Sequence, residues 1–315
     1  MLVSPVMPPE VHKREPEPYC NCWSKRTTVS WQQLDPCECG EVSTECEWTW
    51  DTPAITGTSW LVLSEDKRQV TFHPFYSSGT AVVKGDTPFE LNNHYYWEVK
   101  VLTETYGTDI IVGVGTNKMD ITSAQFNFTS LLGNSEESYG LSYTGCLRHN
   151  DMELPNVGGF CRGTIIGVRV DMWRGTLEYY LNRKPQGICF YNLRRHERLY
   201  PMISSTAAQS SMRLVYAGSW RGSLLVDAIR ILAAGVRSCA VRDLPPGLRF
   251  LCTSKFWLTL PSDGQGNIDD MDQPRETLKS CYSMEDLPSE YINGYYVDGV
   301  EPNYRIVVWQ SLVNM

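Results

Sequence analysis

The chain has 315 residues, 42% hydrophobic and 11% aromatic, with 28 Lys and Arg against 36 Asp and Glu for a formal charge of −8. That much apolar material builds a sizeable core and excludes a mainly disordered chain. The acidic balance excludes a chain-wide basic footprint for nucleic acid, and no apolar run approaches the roughly 18 to 20 residues that span a bilayer. At the N-terminus, Met1 to Glu10 lacks a basic segment followed by an apolar one, so it does not read as a signal peptide. A cytoplasmic location is expected, with the nucleus open to the chain. Eleven cysteines, odd in number and widely spread, then read as reduced thiols.

Residues 1–45 are rich in Pro, Glu and Cys, show no sustained periodicity, and read as a flexible leader. Cys20, Cys22, Cys37 and Cys39, with Cys46 just beyond, make two C-x-C pairs. Such pairs could hold a tetrahedral zinc, but structural zinc sites ordinarily use C-x-x-C, whose two intervening residues form the turn. Free thiols are the preferred reading, so neither a metal nor a cofactor is expected.

From Cys46 to Tyr216 short apolar runs alternate with turn signals, as in an antiparallel sandwich. Tyr95–Val101 alternates with a period of two. Asp109–Gly115 is more continuously apolar, as a central strand should be. Thr164–Asp171 puts Ile166, Val168 and Val170 on one face and Arg169 and Asp171 on the other. Trp173-Arg174-Gly175 supplies a turn, and Thr176–Leu181 returns with Leu177, Tyr179 and Leu181 inward. Lys184-Pro185-Gln186-Gly187 reads as the turn that ends this strand. The block contains no convincing amphipathic helix. An all-β, two-layer sandwich is predicted over 46–217.

After Tyr216 the period changes. Leu224, Leu225, Ala228, Ile229 and Leu232 fall on one helical stripe, and Gly235 is a plausible stop. Pro245-Pro246 can open a second helix through Leu248–Cys252. A helical segment over 218–258 has too little core to stand alone, so it must lean on the sandwich, on a partner, or on both. Residues 259–315 read as a second flexible tail, with a short apolar stretch at Tyr304–Trp309.

Catalytic signatures are thin. His12, His73, His94, His149 and His196 sit in no nucleophile-and-base motif. Gly113-Val114-Gly115-Thr116 lacks the Lys of a phosphate loop and the third Gly of a dinucleotide fingerprint. Asp109 and Asp171 read as structural carboxylates. No catalytic residue is predicted.

Several ordered motifs carry a resemblance. Tyr106-Gly107-Thr108-Asp109, Val112–Gly115, Leu131-Leu132-Gly133, Glu137–Gly145, Ile166-Gly167-Val168, Gly175-Thr176-Leu177 and Leu199–Ala208 together resemble the SPRY (B30.2) domain. The helices that follow resemble a SOCS box. The chain is therefore similar to the SPRY domain-containing SOCS box family over roughly 46–258. The resemblance implies a non-catalytic substrate-recognition adaptor of a ubiquitin ligase. The SPRY sandwich would bind a short peptide degron. The SOCS box would dock on Elongin C of the Elongin B/C heterodimer and on a cullin, usually cullin-5, which carries a RING protein. Target ubiquitination and proteasomal degradation would follow.

The family's Elongin element carries over to Ser223, Leu224, Ala228 and Leu232, with Leu224 as the anchor of a helix-in-groove contact and Ala228 in place of the commoner Cys. The cullin element, Leu-Pro-aliphatic-Pro in the family, aligns with Arg242, Asp243, Leu244 and Pro245, so its first two positions differ. Pro246-Gly247-Leu248 then continues as in one branch of the family. The expected cullin residues are Leu244, Pro245, Pro246 and Leu248.

Well-known members read an Asp/Glu-Ile/Leu-Asn-x-Asn peptide with an Arg, a Pro and an Ala in the loop after a Phe-His pair, plus a Tyr and a Trp. Here Phe72-His73 leads into Pro74-Phe75-Tyr76-Ser77-Ser78, Phe128 stands for the Tyr, and Ala207 for the Trp. Gly107 and Thr108 match. The expected substrate residues are Pro74, Tyr76, Ser78, Gly107, Thr108, Phe128, Thr206 and Ala207, reading a different peptide that still contains Asn. Two other readings stand beside this one. One is a scaffold or sensor module with a vestigial SOCS box. The other is a lectin-like sandwich, which the missing secretion signal disfavours.

Overall fold

A computed structural model describes residues 15–20, 22, 38–41, 46–51, 60–155, 158–235 and 245–260, and of residues 230–235, 249 and 252–254 the backbone alone. In chain order the strands are β1 (Trp50–Asp51), β2 (Leu61–Leu63), β3 (Gln69–Phe72), β4 (Ala81–Gly85), β5 (Phe89–Glu90), β6 (Asn93–Val101), β7 (Ile110–Gly115), β8 (Ser138–Ser142), β9 (Cys146–His149), β10 (Met152–Pro155), β11 (Ile165–Asp171), β12 (Thr176–Leu181), β13 (Lys184–Phe190), β14 (Arg198–Ser205) and β15 (Ser210–Arg221). Two helices follow, α1 (Leu224–Gly235) and α2 (Pro246–Ser254). One sheet runs β1-β4-β14-β7-β8-β9-β10 with β5 beside β14, and the other runs β13-β12-β11-β6-β15-β3-β2. The described pairings are antiparallel, and the predicted two-layer sandwich is the fold.

The main core lies between the sheets. Ile166, Val168, Val170, Leu177 and Tyr179 face into it, as their alternation predicts. At one end Trp48, Trp50 and Trp97 meet edge to face, with centroids 5.2 Å apart for Trp48–Trp50, 5.6 Å for Trp48–Trp97 and 5.7 Å for Trp50–Trp97.

Both sheets are also covered on their outer faces. On the first, Met119, Ala124, Leu131 and Leu132 of the β7–β8 connection lie over Val82, Ile111 and Met202. That is why β7 reads as a continuous apolar run, buried along its whole length. On the second, Tyr96, Tyr180 and Tyr216 meet Val226 and Ile229 of α1 and Trp257 and Leu258 of a 3-10 turn at Phe256–Thr259. The helical segment thus leans on the sandwich.

Three sequence readings need correction. Lys184-Pro185-Gln186-Gly187 belongs to a strand, not a turn. The reversal is at Asn182 and Arg183, whose φ values of 52° and 64° make a left-handed two-residue turn between paired Leu181 and Lys184. Pro185 is tolerated because β13 is an edge strand. The strand period also outlasts Tyr216. A bulge between Leu214 and Tyr216 resets the register, and pairing with β6 continues to Arg221. Finally, the single apolar stripe of α1 is divided: Ile229, joined by Val226 from outside the stripe, faces the sandwich, whereas Leu224, Leu225 and Ala228 are exposed.

The leader expected to be flexible meets the sandwich at two places. Tyr19 N–H donates to Gly163 O at 2.9 Å, and Arg183 donates to Gly40 O at 2.7 Å. Cys37, Arg242, Asp243, Leu244 and the tail beyond Leu260 lie outside the described residues. No helix among the described residues is long and apolar enough to cross a membrane.

Candidate functional site

Strand register gathers one set of loops. Ser205 at the end of β14 pairs with Ala81 at the start of β4 and with Ile110 at the start of β7. The segments before β4, before β7 and after β14 therefore meet at one end of the first sheet. Residues 125–129 are drawn to the same end. The Thr80 hydroxyl donates to Asn127 O (2.7 Å) and accepts from Thr129 N–H (3.0 Å). A Cβ at Gly79 would lie 2.1 Å from Gln125 O, so this approach needs glycine there.

The loops are also tied to one another. The Ser77 hydroxyl donates to Thr206 O at 2.7 Å. Asp109 N–H donates to the Thr206 hydroxyl at 3.0 Å, and Thr206 N–H donates to Asp109 O at 3.0 Å. Gly107, with φ of 88°, sits against Thr206 and Ala207. Tyr143 donates to Gly107 O at 3.1 Å, and Tyr106 OH donates to Ala208 O.

Beneath the loops lies a buried carboxylate. Asp109 accepts from the Ser142 hydroxyl (2.6 Å) and the Ser130 hydroxyl (2.6 Å) and pairs with Arg148 at 3.2 Å. Burial pushes its pKa up, against the pull of those hydrogen bonds and of Arg148. His73, left-handed with φ of 46°, lies within 3.1 Å of Ser205 O through Nε2. Burial lowers its pKa, and the neutral ring donates to that carbonyl. Both groups fix the loops.

All eight predicted substrate residues come to this end, in two layers. Pro74, Thr206 and Ala207 are buried supports, and Ser78 is half-buried. Tyr76, Gly107, Thr108 and Phe128 are exposed, Tyr76 at 76%. Sequence reasoning missed Phe75, Tyr106 and Phe126, three further exposed rings on these loops. The available signal was an aromatic residue in a turn-rich stretch, outside any strand period. Open backbone beside apolar rings suits an extended peptide.

A second surface lies on α1. Leu224 is 84% exposed, whereas Val226 and Ile229 are 0% and 3% exposed. Arg174 at the β11–β12 turn pairs with Asp227 at 2.8 Å and holds the helix in place. Ser223 is half-buried, Ala228 is exposed, and the Leu232 side chain lies outside the described residues. Of the expected cullin residues, Pro245 and Pro246 are exposed at the start of α2, but Leu248 packs into the tyrosine-lined cluster. Leu248 therefore serves this chain's own packing.

Comparison with known proteins agrees with this architecture. Residues 94–218 match the SPRY domain family. The chain is 36% identical over 293 residues to SPRY domain-containing SOCS box protein 3 of Xenopus tropicalis, covering 89% of this chain and 80% of that protein. It is 35% identical over 290 residues to the protein of the same name in Xenopus laevis, covering 88% and 79%. SPRY domain-containing SOCS box protein 1 of Homo sapiens is 26% identical over 166 residues, covering 50% and 59%. With relatives of this similarity along most of its length, the chain belongs to the SPRY domain-containing SOCS box protein family.

Proposed function

We propose that this chain is a non-catalytic substrate receptor of a cullin-RING ubiquitin ligase. Its sandwich grips a short extended peptide of a target protein at the loops around Tyr76, Gly107, Thr108 and Phe128. Amide side chains both donate and accept hydrogen bonds, so Asn in the peptide suits the open backbone at Gly107 and Thr108. The helical segment docks on Elongin C of the Elongin B/C heterodimer and on a cullin, cullin-5 by preference. A RING protein on the cullin brings the charged conjugating enzyme. The chain supplies proximity and orientation, and the target is ubiquitinated and degraded by the proteasome.

One observation carries this reading. α1 is held to the sandwich by Val226 and Ile229 while its first residue, Leu224, projects almost fully into solvent. A large apolar side chain on an anchored helix, with exposed Leu225 and Ala228 beside it, is the form of a helix-in-groove ligand. The family relationship supports the partner's identity.

The test is co-purification of the full chain with Elongin B/C. A stoichiometric complex on gel filtration is the expected result. Clean separation at micromolar concentration would overturn the reading in favour of a scaffold whose helical segment is vestigial.

A further inference from the structure

The leader crosses the outer face of the seven-stranded sheet in two pieces, 15–20 and 38–41, with Cys22 between them. Hydrogen bonds hold each piece in place. Glu17 O accepts from Asn182 Nδ2 (2.8 Å) and from the Thr164 hydroxyl (3.0 Å), and Tyr19 N–H donates to Gly163 O (2.9 Å). On the other piece, Lys100 Nζ donates to Cys39 O at 3.0 Å and Arg183 donates to Gly40 O at 2.7 Å. The sulfurs of Cys20, Cys22 and Cys39 all lie within 4.8 Å of one another, with Cys22 and Cys39 3.5 Å apart.

We infer that Cys20, Cys22 and Cys39 form a three-thiolate zinc site that staples the leader to the sandwich. A tetrahedral zinc with Zn–S bonds of about 2.3 Å has S···S edges of about 3.8 Å, which these three sulfurs approach. The spacing argument against C-x-C concerns a turn that must form by itself. Here the sandwich supplies the geometry, because Lys100 of β6, Gly163 and Thr164 just before β11, and the β12–β13 turn fix the backbone on both sides of the thiols. The charge fits as well. Three thiolates around a divalent ion leave one negative charge, and the Lys100 ammonium, 2% exposed, lies 3.2 Å from Cys20 Sγ. Binding releases up to three thiol protons and transfers no electron. Cys37 lies outside the described residues.

A zinc here would also be folding energy. The two pieces make no strand pairing with each other, and an ion bonded to both closes the chain between Cys22 and Cys39. Arg183 sets the staple beside the helical segment: it bonds Gly40 and lies 4.8 Å from the ring centroid of Phe256.

The full chain, purified under reductant, loaded with zinc and dialysed against metal-free buffer, should retain one zinc per chain by mass spectrometry. Cobalt should bind in its place, with the visible bands of tetrahedral thiolate coordination. Cys20→Ser, Cys22→Ser and Cys39→Ser should each reduce zinc retention at least tenfold, while Cys46→Ser, outside the cluster, should keep it. A chelator should lower the melting temperature of the wild type and leave that of the Cys22→Ser variant unchanged. A zinc-loaded wild type that holds no metal after dialysis would overturn the inference. So would a Cys22–Cys39 disulfide found by peptide mass in the protein as made in cells.

Discussion

The indole N–H of Trp257 donates to the phenol oxygen of Tyr216 at 3.0 Å, and the Trp257 ring lies parallel to that of Tyr96 with centroids 5.8 Å apart. Burial pushes the Tyr216 phenol up to about 12, so it keeps its proton and remains a neutral acceptor. This contact fixes the helical segment to the outer face of the seven-stranded sheet. Tyr216→Phe leaves the Trp257 N–H buried without that acceptor and should cost about 1–3 kcal/mol. Trp257→Ala removes a fully buried indole from the cluster and should cost about 3–5 kcal/mol. Urea denaturation of the full chain measures both. Wild-type stability in both variants would mean that the segment is held by other contacts.

The docking prediction separates packing from binding. Leu224 touches water and not the core, so Leu224→Ala should leave the melting temperature of the chain unchanged. In a partner's groove the same truncation costs roughly 2 to 4 kcal/mol, and Elongin C affinity should fall at least tenfold. Titration calorimetry with Elongin B/C beside a thermal melt gives both numbers. A lowered melting temperature with unchanged affinity would reverse the assignment of the two helix faces.

The division of α1 also shows where the sequence stops being informative. Strand positions and inward faces were legible because the period of two at Ile166, Val168 and Val170 leaves one choice of inward face. The helix offered Leu224, Leu225, Ala228, Ile229 and Leu232 as equals, and nothing local distinguishes the residue that meets Tyr96 and Tyr216 from the one left in solvent. The Asn182-Arg183 turn was hidden by Pro185, which looks like a turn residue but sits on an edge strand that tolerates it. The gathering of Thr206, Gly107 and Ser77 depends on pairings between strands far apart in the chain, which no local pattern encodes.

A pH prediction follows from His196. Its Nε2 accepts from Arg195 Nε (3.0 Å) and lies 3.2 Å from the Tyr139 hydroxyl, and an arginine can only donate. Burial first, then the neighbouring Arg195 charge, lower its pKa to about 4 from 6.5. The unfolded chain therefore binds more protons than the folded one between those values. The stabilisation is fully present above about pH 6.5 and is lost as pH falls towards 4. At pH 5 the loss from this site is about 2 kcal/mol. His196→Gln keeps an acceptor and cannot titrate, so it should flatten the fall in stability between pH 7 and pH 5. An unchanged slope would assign the acid sensitivity to other groups, buried His73 among them.

Substrate choice gives the sharpest expectation, because the buried layer of the site fixes what the surface can become. The family resemblance implies that the Asp/Glu-Ile/Leu-Asn-x-Asn peptide of well-known members relies on an Arg, a Tyr and a Trp, whose expected places in this chain hold Pro74, Phe128 and Ala207. Pro74, at the position expected for the Arg, is buried. Ala207 is 1% exposed, belongs to the main core, and lies against Gly107. Losing three such contacts, at about 1 to 3 kcal/mol each, should leave an Asp-Ile-Asn-Asn-Asn peptide with a dissociation constant weaker than roughly 10 μM. Ala207→Trp should not restore it, since an indole forced into that position overpacks the core and costs about 1–3 kcal/mol of stability. Phe128→Tyr, at an exposed position, should fold normally and gain little affinity. The opposite experiment removes the exposed rings: Phe75→Ala and Tyr76→Ala should leave stability unchanged and weaken binding of this chain's own target. Calorimetry with the peptide decides the first half. Nanomolar binding by the wild type would show that the buried layer does not govern the choice and that the grip lies elsewhere on the sandwich.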